Sequence, residues 1–203
     1  METMEPDMGL LDRWRSGDRD AGQELFSRHF AEIYRFFEHK VGAEADDLTQ
    51  RTFLACVRSR DQFRAQSSFR TYLYVIARHE LYGHLRRFSR REEVDFSATS
   101  IAQIVTSPSS RFDRDRRREH LRVGLRDLPA EQQLLLELHY WHDLDAAALG
   151  EVFVAAPGAI RVRLLRARQA LRERLAQLGA LPEPADPMAA SLVGTDGAVD
   201  PDR

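Results

Sequence analysis

From Pro157 to Leu178 the apolar residues Ile160, Leu164, Ala167, Leu171, Leu175 and Leu178 recur so that, at about 100° per residue, all fall within one narrow face. A two-residue strand period would scatter them over both faces, so the segment is a helix with one buried seam. Arg161, Arg168 and Arg172 line one flank of that seam, and Arg163, Arg166 and Arg174 line the other. The only acid between Pro157 and Leu175 is Glu173. A helix this basic on both flanks of its seam can meet phosphates, and arginine can also read guanine edges bidentately.

The same period runs through the first half of the chain, where Gly and Pro are scarce from Leu10 to Arg91. It predicts helices over Leu10–Ser16, Asp18–Lys40, Glu44–Ser59 and Ser68–Phe88, with Val41-Gly42 closing the second. Glu44, Asp46 and Asp47 crowd the first turn of the third, where carboxylates complement the helix dipole. Leu25, Phe26, His29, Phe30, Ile33, Phe36 and Phe37 form an aromatic-rich stripe on the second, read as helical core rather than a cofactor box. No segment has the pattern of a strand long enough to build a sheet. The fold class expected is all-α: two small helical domains joined by a flexible linker.

Composition sets the boundaries. Residues 10–90 form the first unit, and residues 91–110, with Thr106-Ser107-Pro108-Ser109-Ser110, read as linker around one apolar patch at Ile101–Val105. Residues 111–179 form the second helical unit. Residues 180–203, with Pro182, Pro184, Pro187, Asp186, Asp196, Asp200 and Asp202, read as a disordered acidic tail. The formal net charge of -2 conceals this segregation of basic and acidic segments.

Several function classes are excluded by what the residues lack. No run approaches the roughly 20 apolar residues needed to span a bilayer, and the acidic start Met1–Gly9 is no secretory signal, so no membrane partner is expected. Cys56 is the single cysteine, which forbids an internal disulfide and fits a reducing, cytoplasmic setting. No Gly-rich phosphate loop and no nucleophile elbow occur. His79 and His84 lie five apart, about 140° around a helix, so they cannot share a metal as residues four apart do. His139 and His142 beside Asp143 have no evident third ligand. No metal, no cofactor and no catalytic residue are expected, and the chain is not read as an enzyme.

The basic helix sits in a particular context. Leu128-Pro129-Ala130-Glu131 opens a helix reaching Trp141, with Pro129 suited to its first turn. A short helix, Asp145–Phe153, follows with Asp145 as N-cap, and Val154-Ala155-Ala156 then turns into Pro157. Short helix, three-residue turn and basic helix make a helix-turn-helix, whose second helix enters the DNA major groove. A glycine often stands in that turn; Val154 stands here.

The pattern Leu128-Pro129…Tyr140…Leu144…Leu149…Gly158…Ile160…Arg163-Leu164…Arg166-Ala167-Arg168…Leu171 resembles region four of extracytoplasmic-function (ECF) sigma factors. Asp46-Asp47-Leu48-Thr49-Gln50-Arg51-Thr52-Phe53-Leu54 is similar to that family's region-two helix. Phe69-Arg70-Thr71-Tyr72-Leu73-Tyr74-Val75-Ile76-Ala77-Arg78, followed by Leu85-Arg86-Arg87, is similar to its promoter-melting segment. The resemblance spans roughly Leu10 to Leu178, with both motifs in order across a variable linker.

The resemblance implies a factor that binds core RNA polymerase, through the β′ clamp helices and the β subunit, and directs promoter-specific transcription initiation. Asp46, Asp47, Gln50 and Arg51 would then face the polymerase. Phe63, Arg64, Arg70, Tyr72, Tyr74 and His79 would handle the −10 element, with His79 where many relatives carry asparagine. Pro157, Gly158, Arg161, Arg163, Arg166 and Arg168 would meet the −35 element. The linker would thread toward the RNA exit path. An anti-sigma factor or a regulatory kinase is a candidate partner besides promoter DNA.

Arg51 stands where the family often has an acid. It either pairs with Asp47 four residues earlier, worth a few tenths of a kcal/mol, or marks a surface completed by phosphate on Thr49 or Thr52. The competing reading of the whole chain is a helix-turn-helix regulator with an N-terminal helical sensing or dimerisation domain. It predicts DNA binding without polymerase.

Overall fold

The computed structural model describes residues 6–63, 67–89, 94–104 and 116–179, the last segment without side chains before residue 120. It divides into two compact units, Met1–Arg87 and Phe88–Arg203. Nine α-helices are described: α1 Asp7–Arg15, α2 Arg19–Val41, α3 Ala45–Ser59, α4 Phe69–Phe88, α5 Ile101–Ile104, α6 Arg116–Asp127, α7 Ala130–Tyr140, α8 Ala146–Phe153 and α9 Pro157–Gln177. No named strand occurs among the described residues, and the all-α expectation holds. No helix among them is long and apolar enough to cross a membrane.

In the first unit the sequence places its own stops and starts. The Asp18 side chain accepts hydrogen bonds from the Asp20 and Ala21 amides at 3.0 and 3.1 Å, capping α2. Leu25, Ile33, Phe36 and Phe37 of the α2 stripe are buried, as are Leu48, Phe53 and Cys56 of α3. Burial pushes the Cys56 thiol up to about 12, so it is core filler and no nucleophile. α4 is buried over more than one face, with Phe69, Leu73, Tyr74, Ala77, Leu81 and Leu85 inside. α1 packs along α2 because Gly22 leaves room for Trp14: a Cβ there would lie 2.5 Å from Trp14 Cδ1.

A charged seam ties α1, α2 and α4. His29 Nε2 lies 2.7 Å from Asp7 Oδ2, Arg28 pairs with Asp7 at 3.3 Å, and Arg70 of α4 grips Glu32 of α2. Burial opposes charge on His29, but the carboxylates of Glu32 and Asp7 outweigh it, so the imidazolium persists above the usual histidine range.

In the second unit the α9 seam is buried as its period requires: Ile160, Leu164, Ala167, Leu171 and Leu175 all lie inside. They pack against α6, α7 and α8, whose buried residues include Gly124, Leu134, Leu135, Leu138, Leu149, Val152 and Phe153. The stretch read as linker contributes to this core. Phe96 and Ile101 are buried, the Thr99 carbonyl accepts from the Ala130 amide at 3.0 Å, and the Phe96 carbonyl accepts from Glu131 at the same distance. These bonds satisfy the first free amides of α7, whose cap residue Pro129 offers no side-chain acceptor. Part of 91–110 is thus structural. Residues 90–93, 105–115 and 180–203 lie outside the described residues, and with them both ends of the predicted linker and the whole predicted tail.

Candidate nucleic-acid interface

The helix-turn-helix is built as its sequence requires. Asp145 Oδ1 accepts from the Ala148 amide at 2.7 Å, and α8 closes with the Ala155 amide donating to Gly150 O at 2.8 Å. Gly150 has to be glycine, since a Cβ there would stand 2.6 Å from the Ala155 carbonyl oxygen. Val154 takes the left-handed conformation (φ 53°, ψ 54°) where the turn usually carries glycine, with 86% of its surface exposed. Pro157 then opens α9 at its first turn.

α9 does not offer its arginines equally. Arg161 and Arg166 are exposed. Arg163 donates to Glu131 Oε1 of α7 at 2.8 Å, so in the free chain it braces α9 against α7 while its side chain stays 42% exposed. Arg168 is half-buried, and its Nε lies in the interior without a hydrogen-bond partner. Arg174 forks onto Asp127 of α6 at 2.5 and 2.8 Å. The open face of α9 runs through Pro157, Gly158, Arg161, Val162, Leu165, Arg166 and Gln169. Val162 and Leu165, 48% and 63% exposed, were absent from the sequence reading. Their position opposite the Ile160–Leu175 seam would have identified them.

On α3, Asp46, Asp47 and Gln50 are exposed together, and Leu54 and Val57 extend the same helix surface toward its C-terminus with 54% and 40% exposure. Arg51 reaches Asp47 Oδ2 at 2.8 Å, which is the intrahelical pair that its spacing allows. Thr49 and Thr52 are completely buried, their hydroxyls donating to the carbonyls of Ala45 and Leu48 at 2.7 and 2.8 Å. Neither can receive a phosphate without unpacking α3, and the modification expected there is withdrawn.

The −10 candidates separate in the same way. Phe63 is 7% exposed with its ring 4.6 Å from Tyr72, and Tyr74 is completely buried against Phe36. Neither can stack on a base, because both are committed to the core. Arg70 holds Glu32 through Nε at 2.9 Å, so its guanidinium is occupied rather than open to a phosphate. Arg64 lies outside the described residues. Tyr72, half-buried, bonds Ser59 Oγ through its phenol at 2.5 Å, and burial raises its phenolic pKa. His79 is exposed. It lies on one α4 face with Tyr72, Val75, Ile76, Gly83, Arg86 and Arg87, all exposed or half-exposed. That stripe, rather than the buried aromatics, is the surface α4 presents.

Residues 25–91 match the family model for sigma-70 region 2. The RNA polymerase sigma factor CarQ of Myxococcus xanthus is 31% identical over 178 residues, covering 83% of this chain and 97% of its own. The ECF RNA polymerase sigma factor BldN of Streptomyces coelicolor is 29% identical over 172 residues, 83% of this chain and 65% of its own. The solved sigma factor RpoE of Bartonella quintana, in complex with the anti-sigma factor NepR, shares the fold at a TM-score of 0.57 and 21% identity, over 76% of this chain and 96% of its own.

Proposed function

The chain belongs to the extracytoplasmic-function group of RNA polymerase sigma factors, and from that premise we propose how its two units divide promoter-directed transcription initiation between them. The observation that supports the division is the contrast between two exposed helix faces. α3 offers the acids Asp46 and Asp47 with Gln50, while α9 offers Arg161 and Arg166 around two aliphatic side chains.

The α3 face docks on the β′ clamp helices of core polymerase. Its charges steer and orient the encounter, and Leu54 and Val57 supply apolar area beside them. Arg51 draws on the charge of Asp47. The pair is exposed, so a basic partner can break it at little cost.

The α9 face enters the major groove at the −35 element. Arg161 and Arg166 meet phosphates or guanine edges, and Val162 and Leu165 contact thymine methyls, the one apolar group on that groove floor. The α4 stripe around His79 lies along the melted −10 strand, and Arg86 and Arg87 bind its phosphates. The polymerase supplies the chemistry; this chain supplies promoter choice and is not itself a catalyst. It works in the cytoplasm, and an anti-sigma factor restrains it by covering one of these faces, since the RpoE relative is held in such a complex.

The test is titration of core polymerase with the full chain and with the Asp46→Ala, Asp47→Ala double variant. Weaker core binding at unchanged helical content supports the assignment, and unchanged binding refutes it.

A further inference from the structure

α1 precedes the segment that matches region 2, yet it holds the turn that leads from α3 toward α4. Arg15, on the last turn of α1, donates through Nε and Nη2 to the Arg60 carbonyl at 3.2 and 2.6 Å. Nη2 also donates to the Phe63 carbonyl at 2.5 Å. One guanidinium thus bridges two carbonyls three residues apart, at the point where the chain leaves its short 3₁₀ turn at Arg60–Gln62.

The side chains of the turn are gripped as well. The Arg15 guanidinium lies 5.9 Å from the Phe63 ring centre, and the Arg60 guanidinium lies 5.1 Å from that of Trp14. The Phe63 ring packs at a tilt against Tyr72 of α4, 4.6 Å between centres, and the Tyr72 phenol bonds Ser59 of α3. The contacts from α1 therefore hold both ends of residues 60–63, and Tyr72 of α4 packs against Phe63. Arg15 is partly buried, which strengthens its charge-assisted bonds relative to an exposed arginine.

We propose that Arg15 is a positioning residue for −10 recognition: its fork onto Arg60 and Phe63 sets where Phe63 stands against Tyr72, and so how that end of the α4 face is presented. Arg15 touches no base itself. The proposal rests on the reading that the α4 face around His79 lies along the −10 strand. A guanidinium suits this role because its planar fork reaches two acceptors at once, which the single ammonium of lysine does less well.

The experiment uses the full chain bound to core polymerase on a promoter library randomised over the −10 segment, scored by sequencing the transcripts. Core affinity and thermal unfolding are measured alongside. Arg15→Ala should lower the preference for the best −10 sequences over the rest by about tenfold, as expected for loss of charge-assisted bonds, with core affinity unchanged. Arg15→Lys should restore part of that preference. If Arg15→Ala does not fold, Arg15→Lys and Arg15→Gln carry the test, and each should still blunt −10 preference while leaving core binding intact. Wild-type preference in the folded Arg15 variants overturns the proposal. His79→Ala separates the two levels. A changed preference in His79→Ala with none in the Arg15 variants removes the positioning role alone. No change in either removes the −10 reading and the positioning role together.

Discussion

Val154→Gly should stabilise the second unit. Val154 sits at φ 53°, ψ 54°, and a left-handed backbone costs an L-residue about 1–2 kcal/mol. Glycine removes that cost but has more freedom to lose on folding, which returns roughly 0.5–1 kcal/mol. With 86% of the side chain already exposed, almost no burial is forfeited. The net expectation is a gain of about 1 kcal/mol, which for a unit of this size raises the melting temperature by about 4–8 °C.

The assay is thermal or urea unfolding followed by fluorescence. The chain has two tryptophans, Trp14 in the first unit and Trp141 in the second, so a Trp14→Phe background makes Trp141 the reporter. Val154→Ala is the control: it keeps the Cβ that makes the conformation costly and should gain less. An unchanged or lower midpoint for Val154→Gly would refute the reasoning, because the valine side chain would then be stabilising the folded state in a way that its exposure denies.

Other outcomes follow from particular residues. Arg161→Ala and Arg166→Ala should each weaken −35-dependent binding and flatten its salt dependence, by about one unit of slope for each phosphate no longer neutralised, as measured by salt titration. Arg163→Ala should instead lower the unfolding midpoint of the second unit, because its partner is Glu131. Arg51→Glu should strengthen core binding in a titration, since it frees Asp47 and adds an acid to the face. The first unit should lose stability as pH rises. His29 has a folded pKa above its ordinary value, so its contribution is full below the ordinary histidine range and disappears as pH climbs through the folded value. Unfolding midpoints measured from neutral to alkaline pH should fall in the wild type, and His29→Gln should flatten that fall.

Periodicity made much of this fold legible. Ile160, Leu164, Ala167, Leu171 and Leu175 are buried as their spacing requires, and Asp18 and Asp145 cap the helices they precede. The site was less legible, for physical reasons that differ from residue to residue. α4 buries more than one face, so no polar stripe marked Tyr74 as core and His79 as surface. Thr49 and Thr52 satisfy their hydroxyls on carbonyls four residues back, which lets a polar residue occupy a core position. Arg163 and Arg166 share a flank of the seam, and only the position of Glu131 on α7 tells brace from open arginine. The docking of Phe96 and Thr99 works through main-chain carbonyls, and these leave no trace in side-chain pattern.

The central claim is tested most directly by mixing the purified full chain with core RNA polymerase and a library of promoter fragments, then sequencing the transcripts. The account predicts transcripts that start at a defined subset of promoters, depend on the added chain, and disappear with the Asp46→Ala, Asp47→Ala double variant. Specific DNA binding by the chain alone, with no transcript gained when core enzyme is present, would contradict it and favour a stand-alone helix-turn-helix regulator.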